Sequence, residues 1–180
     1  MLKFQEQASS RGWPSLLLRL ILGFGFAAHG WAKLSRGPAG FGEILSHIGV
    51  PFPHITAWVT TLIELLGGVS VMLGAFVIPI SFPLIIVMLT AMFTVHFQYG
   101  FSTVKIKAVT AAGAEFGPPG YEMNLLYIIG VLVLVLGGSG PFSVDNLLLS
   151  KFKLLQERAR AIFLTMKCKL TCEAPSTRKK

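Results

Sequence analysis

Long apolar runs broken by short polar turns dominate the chain, and none alternates with the two-residue period of a strand. Four of them are long and apolar enough for the roughly 20 residues a helix needs to cross the hydrocarbon core. They cover about residues 14–34, 54–75, 77–99 and 122–138. The first holds Arg19, His29 and Lys33 as its ionisable groups, the second Glu64 as its single charge, and the third His96 near its end. The fourth is an almost unbroken Ile, Val and Leu run after Asn124 and Tyr127. So few residues separate the second run from the third that the two must pack as an antiparallel hairpin. Open sheets leave backbone groups unpaired in lipid. The predicted fold is therefore all-α, an integral membrane four-helix bundle.

A different period follows the fourth run. Gly138, Gly140 and Pro141 stop the helix, and Ser143 is placed to cap the next. Leu148, Phe152, Leu155, Ala159, Ile162 and Met166 then recur at helical spacing as one narrow apolar stripe. Lys151, Arg158 and Lys169 flank one side of it, and Lys153, Arg160 and Lys167 the other. That pattern predicts an amphipathic helix lying in an anionic headgroup layer. A helix packed on a partner subunit is the alternative. The expected organisation is an N-terminal segment over 1–13, a membrane domain over 14–149 and a basic amphipathic tail over 150–180.

Composition narrows the class. Of 180 residues, 53% are hydrophobic and only 13% charged, with a mean hydropathy of +0.67. A soluble domain of this length leaves roughly a third of its surface exposed and could not hide so much apolar area. Disorder requires the opposite composition. The net charge of +8 then reports topology. With both ends cytoplasmic, the inside holds Lys3, Arg11 and all the basic residues of the tail, against Lys33, Arg36, Lys105 and Lys107 outside. The positive-inside rule thus predicts N-in and C-in. Arg19 and the apolar continuation past Gly30 favour an uncleaved anchor over a secretory signal. Nucleic-acid binding is not expected, because no aromatic platform or known motif accompanies the charge. Cys168 and Cys172 stand four apart, not as Cys-x-x-Cys, and read as reduced, incidental thiols on a cytoplasmic tail, with palmitoylation or a redox contact as the alternative.

Charges inside spans are costly, so each is a candidate for function. Arg19 and Lys33 lie near span boundaries and could snorkel. Glu64 sits near the middle of its span, on a face of small and polar residues that includes Ala57, Thr60, Thr61, Gly67, Gly68 and Val71. Such a face permits close helix approach. At a rise of 1.5 Å per residue, Arg19 and His29 lie about 7–8 Å either side of mid-membrane, so either could reach Glu64. A charged core of Arg19 and Glu64 is expected, and a fixed ion pair that merely orients the bundle is its plainest reading. Because spans alternate direction, His29, Lys33, His96, Glu122 and Asn124 fall toward the outer side. An outward-opening polar pocket with Glu64 at its floor is the natural inference. No His-x-x-x-His pair, haem-attachment motif or nucleotide loop is present, so neither metal nor haem is expected. A quinone-like headgroup or a proton relay suits the inventory better.

These positions also carry a resemblance. Arg19 through Gly23, then His29-Gly30-Trp31-Ala32-Lys33-Leu34, mark the first span. Glu64-Leu-Leu-Gly67-Gly68 with Gly74 mark the second. Gly120-Tyr121-Glu122-Met123-Asn124 open the fourth, and Gly138-x-Gly140-x-x-Ser143-x-Asp145 follow it. In this order the motifs resemble the DoxX family of bacterial four-helix inner-membrane proteins, over about residues 14–149. The resemblance implies that fold and location. Through the DoxD subunit of thiosulfate:quinone oxidoreductase, it also implies a membrane subunit of a quinone- or thiol-linked redox complex, at most one part of an enzyme. It raises the expectation of fold more than of reaction. A small-molecule transporter or proton-conducting module using Glu64, and a non-catalytic assembly or stress scaffold, are the alternatives. A redox partner subunit and a homo-oligomer both stay open.

Overall fold

The computed structural model describes residues 12–140 and 142–172, with side chains as far as 157 and at 160 in the last helix. Helix α1 runs Gly12–Arg36 and ends where Gly37 takes a positive φ of 87°, which only glycine adopts cheaply. Pro38 then occupies the first turn of a short helix, α2 (Pro38–His47), where its missing N–H costs nothing. Helix α3 (Pro53–Leu73) opens on proline in the same way and ends at Gly74 in the left-handed conformation. After a three-residue turn over 74–76 comes α4 (Val77–Ala91), which loosens into a π-helical turn (Met92–His96) and a 3-10 turn (Phe97–Tyr99). Helix α5 spans Glu122–Gly137 and α6 spans Val144–Cys172.

Helices α1, α3, α4 and α5 close into a ring, each packed against two of the others, and α1 packs most extensively on α3. Every member contributes to one core: Leu22 and Phe26, Val71, Val77 and Leu84, Val131 and Leu134. The polarity is that of a membrane protein, with a small buried core and an apolar exterior. Large apolar side chains such as Leu17, Ile21, Leu66, Phe82 and Leu136 point outward. Three helical stretches, Gly12–Arg36, Pro53–Leu73 and Val77–Tyr99, are long and apolar enough to cross a membrane. The fourth, Glu122–Gly137, matches the expected bounds to within a residue but is 16 residues of apolar helix, about 24 Å against a hydrocarbon core of about 30 Å.

Two elements add to the expected spans and tail, a short helix and a small hairpin. Helix α2 packs on the start of α3, so closely that a Cβ at Gly42 would meet His54 Nδ1 at 2.8 Å. A small antiparallel hairpin, β1 (Ile106–Thr110) and β2 (Gly113–Phe116), stands fully exposed between α4 and α5. Its ends zip together through Gly120 N–H to Ser102 O, Tyr121 N–H to Gly100 O and Glu122 N–H to Phe101 O. Outside the core the hairpin competes with no lipid and can satisfy its ladder locally. The two ends of the ring differ. One gathers the start of α1, the α3–α4 turn and the start of α6, held by Ser15 Oγ on Gly138 O and Asp145 N on Gly74 O. The other carries α2, the π turn and the loop before α5.

Candidate functional site

The interface of α1 with α3 fixes where the charges meet. A Cβ at Gly23 would lie 2.6 Å from Gly68 O, and one at Gly30 would lie 2.5 Å from Leu65 N. Backbones this close lock the register, and that register sets Glu64 opposite residues 30–31 of α1. Lys33 is the basic residue half a turn beyond. Its Nζ stands 2.7 Å from both carboxylate oxygens of Glu64, with hydrogen-bond geometry only toward Oε1. Glu64 is 2% exposed, Lys33 23%, and the ammonium also caps the Phe41 ring of α2 at 4.6 Å.

Arg19 is therefore not the partner of Glu64. It lies about a dozen residues, or about 18 Å of helix, from that level. Wholly buried, it donates from Nη2 to Phe142 O at the far end of the bundle, while Nε and Nη1 have no hydrogen-bond partner among the described residues. Gly74 leaves the room for its guanidinium, since a Cβ there would collide with Nη1. Asp145 beside it accepts from the N–H groups of Phe76 and Val77, so a distant carboxylate caps the start of α4. The sequence motifs thus divide into a structural knot around Arg19 and Asp145 and a separate site around Glu64.

That second site is a cavity of about 510 Å³, lined among others by Phe26, His29, Lys33, Phe41, Glu64, His96, Asn124 and Tyr127. Four of the five outer residues expected from sequence line it. Glu122 does not: its Oε2 accepts from Thr103 N–H and braces the loop before α5. Asn124 donates to Met88 O at 3.3 Å and ties α5 to α4. His96, aimed inward by the π turn, donates from Nδ1 to the Pro119 carbonyl at 3.0 Å, leaving Nε2 without a described partner. Thr60, Thr90 and Thr94 return their hydroxyls to their own helix carbonyls, and Thr56 to Pro51 O, so the walls they form are largely methyl.

Tyr127 is the residue that sequence reading passed over. Its ring packs edge-on to Phe26 at 4.9 Å and to His29 at 6.4 Å. Its hydroxyl sits against Gly25, where a Cβ would overlap it. A tyrosine within an apolar run gives little signal, and only the packed neighbour on α1 reveals it. Neither the Tyr127 hydroxyl nor the His29 ring has a hydrogen-bond partner among the described residues. An apolar cavity of this size with a few convergent polar groups is the usual form of a small-molecule site. Among the described residues no group of three His, Cys, Asp or Glu side chains could hold a metal. In the tail, Lys151, Lys153 and Arg160 are exposed, whereas the side chains of Arg158, Lys167 and Lys169 lie outside the described residues, as do those of Cys168 and Cys172.

A family model described as DoxX matches residues 15–97, which hold α1 to α4 and the Lys33–Glu64 pair. The chain is 31% identical over 131 residues to the Bacillus subtilis (strain 168) protein named "Putative oxidoreductase CatD", covering 73% of this chain and 84% of that one. It is 29% identical over 131 residues to an uncharacterized protein of Haemophilus influenzae, covering 72% of this chain and 86% of the other. No solved structure matches significantly. With a relative above 30% identity covered over most of its length, and with the family model on its first four helices, the chain belongs to the DoxX family.

Proposed function

We propose that this protein is a membrane subunit of a redox complex and that the cavity over Glu64 receives the ring of a quinone-class ligand. The cavity carries the proposal: about 510 Å³, mostly apolar, with its polar groups confined to a few points. Lys33 and His29 would hold a carbonyl oxygen, Phe26 and Tyr127 would pack the ring, and Glu64 would keep Lys33 aimed into the site. A quinone supplies an electron carrier that moves within the bilayer. The relative named as an oxidoreductase supports the reading. The rest of the proposal is a bacterial inner-membrane location with α5 as a fourth crossing. Both chain ends would then be cytoplasmic, the cavity outward, and a redox subunit would dock alongside.

A transporter or proton conductor would need Glu64 free to exchange with solvent. Its closed contact with Lys33 favours the binding role. Purification in mild detergent, followed by extraction of bound quinone and a reduced-minus-oxidised spectrum, tests the proposal. Co-purifying quinone or a captured redox enzyme is the expected result. Absence of both would overturn it, as would proteoliposome flux that depends on Glu64 when tested with Glu64→Gln.

A further inference from the structure

Helix α6 spans 29 residues, and among the described residues no other element packs extensively on it. Its root is fixed. Asp145 binds the Phe76 and Val77 N–H groups and Gly74 O, and Leu147 N–H binds Ser143 O, so the helix starts at one end of the membrane ring. Along the part whose side chains are described, Leu148, Phe152 and Leu155 form one stripe and are 43%, 69% and 63% exposed, with Leu147, Leu149 and Leu154 also exposed to its sides. Lys151 and Lys153 stand on either flank, and Glu157 on the opposite face, all exposed. The sequence continues the stripe through Ala159, Ile162 and Met166 with further basic flanks.

We infer that α6 lies flat on the anionic lipid surface at that end of the bundle, its stripe in the acyl boundary and its lysines among headgroup phosphates. Three observations choose this occupant. The root follows directly on the ends of α3 at Leu73 and α5 at Gly137, so a helix leaving it starts where these two ring helices stop. The flanking charge is of one sign and complements anionic lipid. Acidic Glu157 points away from the stripe, as a surface-lying helix requires. The tail would then act as a composition-sensitive strap, holding the Arg19–Asp145 end against one leaflet. This does not depend on what the cavity binds.

The test uses the full chain in lipid nanodiscs, with Cys168→Ser and Cys172→Ser and a single nitroxide on either Leu155→Cys or Glu157→Cys. In phosphatidylcholine mixed with phosphatidylglycerol, the label at 155 should be open to oxygen and shielded from a polar nickel relaxant. The label at 157 should show the reverse. Neutralising Lys151 or Lys153 to Gln should lower the surface-bound to free ratio about fivefold each. Both sites are exposed, so these variants keep the fold. Equal exposure of the two labels to the nickel relaxant would overturn the proposal. Shielding at 155 that is indifferent to phosphatidylglycerol and vanishes on dilution among empty nanodiscs would also overturn it, and would assign the stripe to a second protein.

Discussion

Lys33 on α1 holds its ammonium 2.7 Å from the Glu64 carboxylate on α3, and only the lysine retains appreciable exposure. The pair is asymmetric: the carboxylate is buried and has this one cation among the described residues, whereas the lysine also faces Phe41 and the cavity. Removing Lys33 should therefore cost more than removing Glu64. We expect Lys33→Met to destabilise the bundle by about 3 kcal/mol, since it strands a buried charge. Lys33→Met combined with Glu64→Leu should recover most of that loss. Denaturation of the four members of this cycle in one detergent checks the sign and the coupling.

The close approach of α1 and α3 makes a second expectation quantitative. A Cβ at Gly68 would meet the α1 backbone at two points, Ala27 N and Gly23 O, and neither can move without shifting that helix. Gly68→Ala should cost about 1–3 kcal/mol as overpacking. Gly40→Ala, where nothing lies within 4 Å, is the matched control and should change stability by less than about 0.5 kcal/mol. Equal melting shifts for the two would mean that the interface is looser than described.

At the other end, Asp145 supplies the cap that α4 lacks locally, since Phe76 at the N-cap position gives no side-chain hydrogen bond. Asp145→Ala should cost about 1–2 kcal/mol, the usual range for a lost N-cap. Hydrogen exchange should accelerate specifically at the Phe76 and Val77 amides. Arg19→Met, which keeps the apolar stem and removes the contact to Phe142 O, should loosen the same turn without altering amides around Glu64. Protection lost throughout α3 instead would show that the two charged sites are one coupled unit.

Much of this was legible in the chain. The membrane-spanning helices follow from apolar length, and the convergence of His29, Lys33, His96 and Asn124 follows from alternating span direction. What length and direction leave undetermined is axial register, which decided that Lys33 rather than Arg19 meets Glu64. Gly23, Gly30 and Gly68 set that register through backbone contact, and glycine has no side chain to announce its partner. Helix α2 and the β1–β2 hairpin also escaped notice, because short segments outside the hydrocarbon core carry no strong hydrophobic period. The π turn that aims His96 inward leaves no mark in the sequence at all.

The last prediction isolates the cavity from the scaffold. Tyr127→Phe keeps the ring packing against Phe26 while deleting a hydroxyl that has no partner among the described residues. Stability should therefore hold, and any effect should fall on ligand. If the hydroxyl meets a quinone carbonyl, affinity for a quinone analogue should drop about fivefold, the worth of one net hydrogen bond of about 1 kcal/mol. Gly25→Ala makes the complementary change, because its Cβ claims the space of the hydroxyl and must displace the tyrosine. Affinity should then fall further, and part of it should return in the Gly25→Ala, Tyr127→Phe double variant, where the clash is relieved. Titrating the analogue against tryptophan fluorescence in all four proteins separates the cases. A loss in Tyr127→Phe with unchanged melting places the hydroxyl on the ligand. Unchanged affinity across the set would move the ligand away from α1 and α5, toward the wall formed by His96 and the π turn.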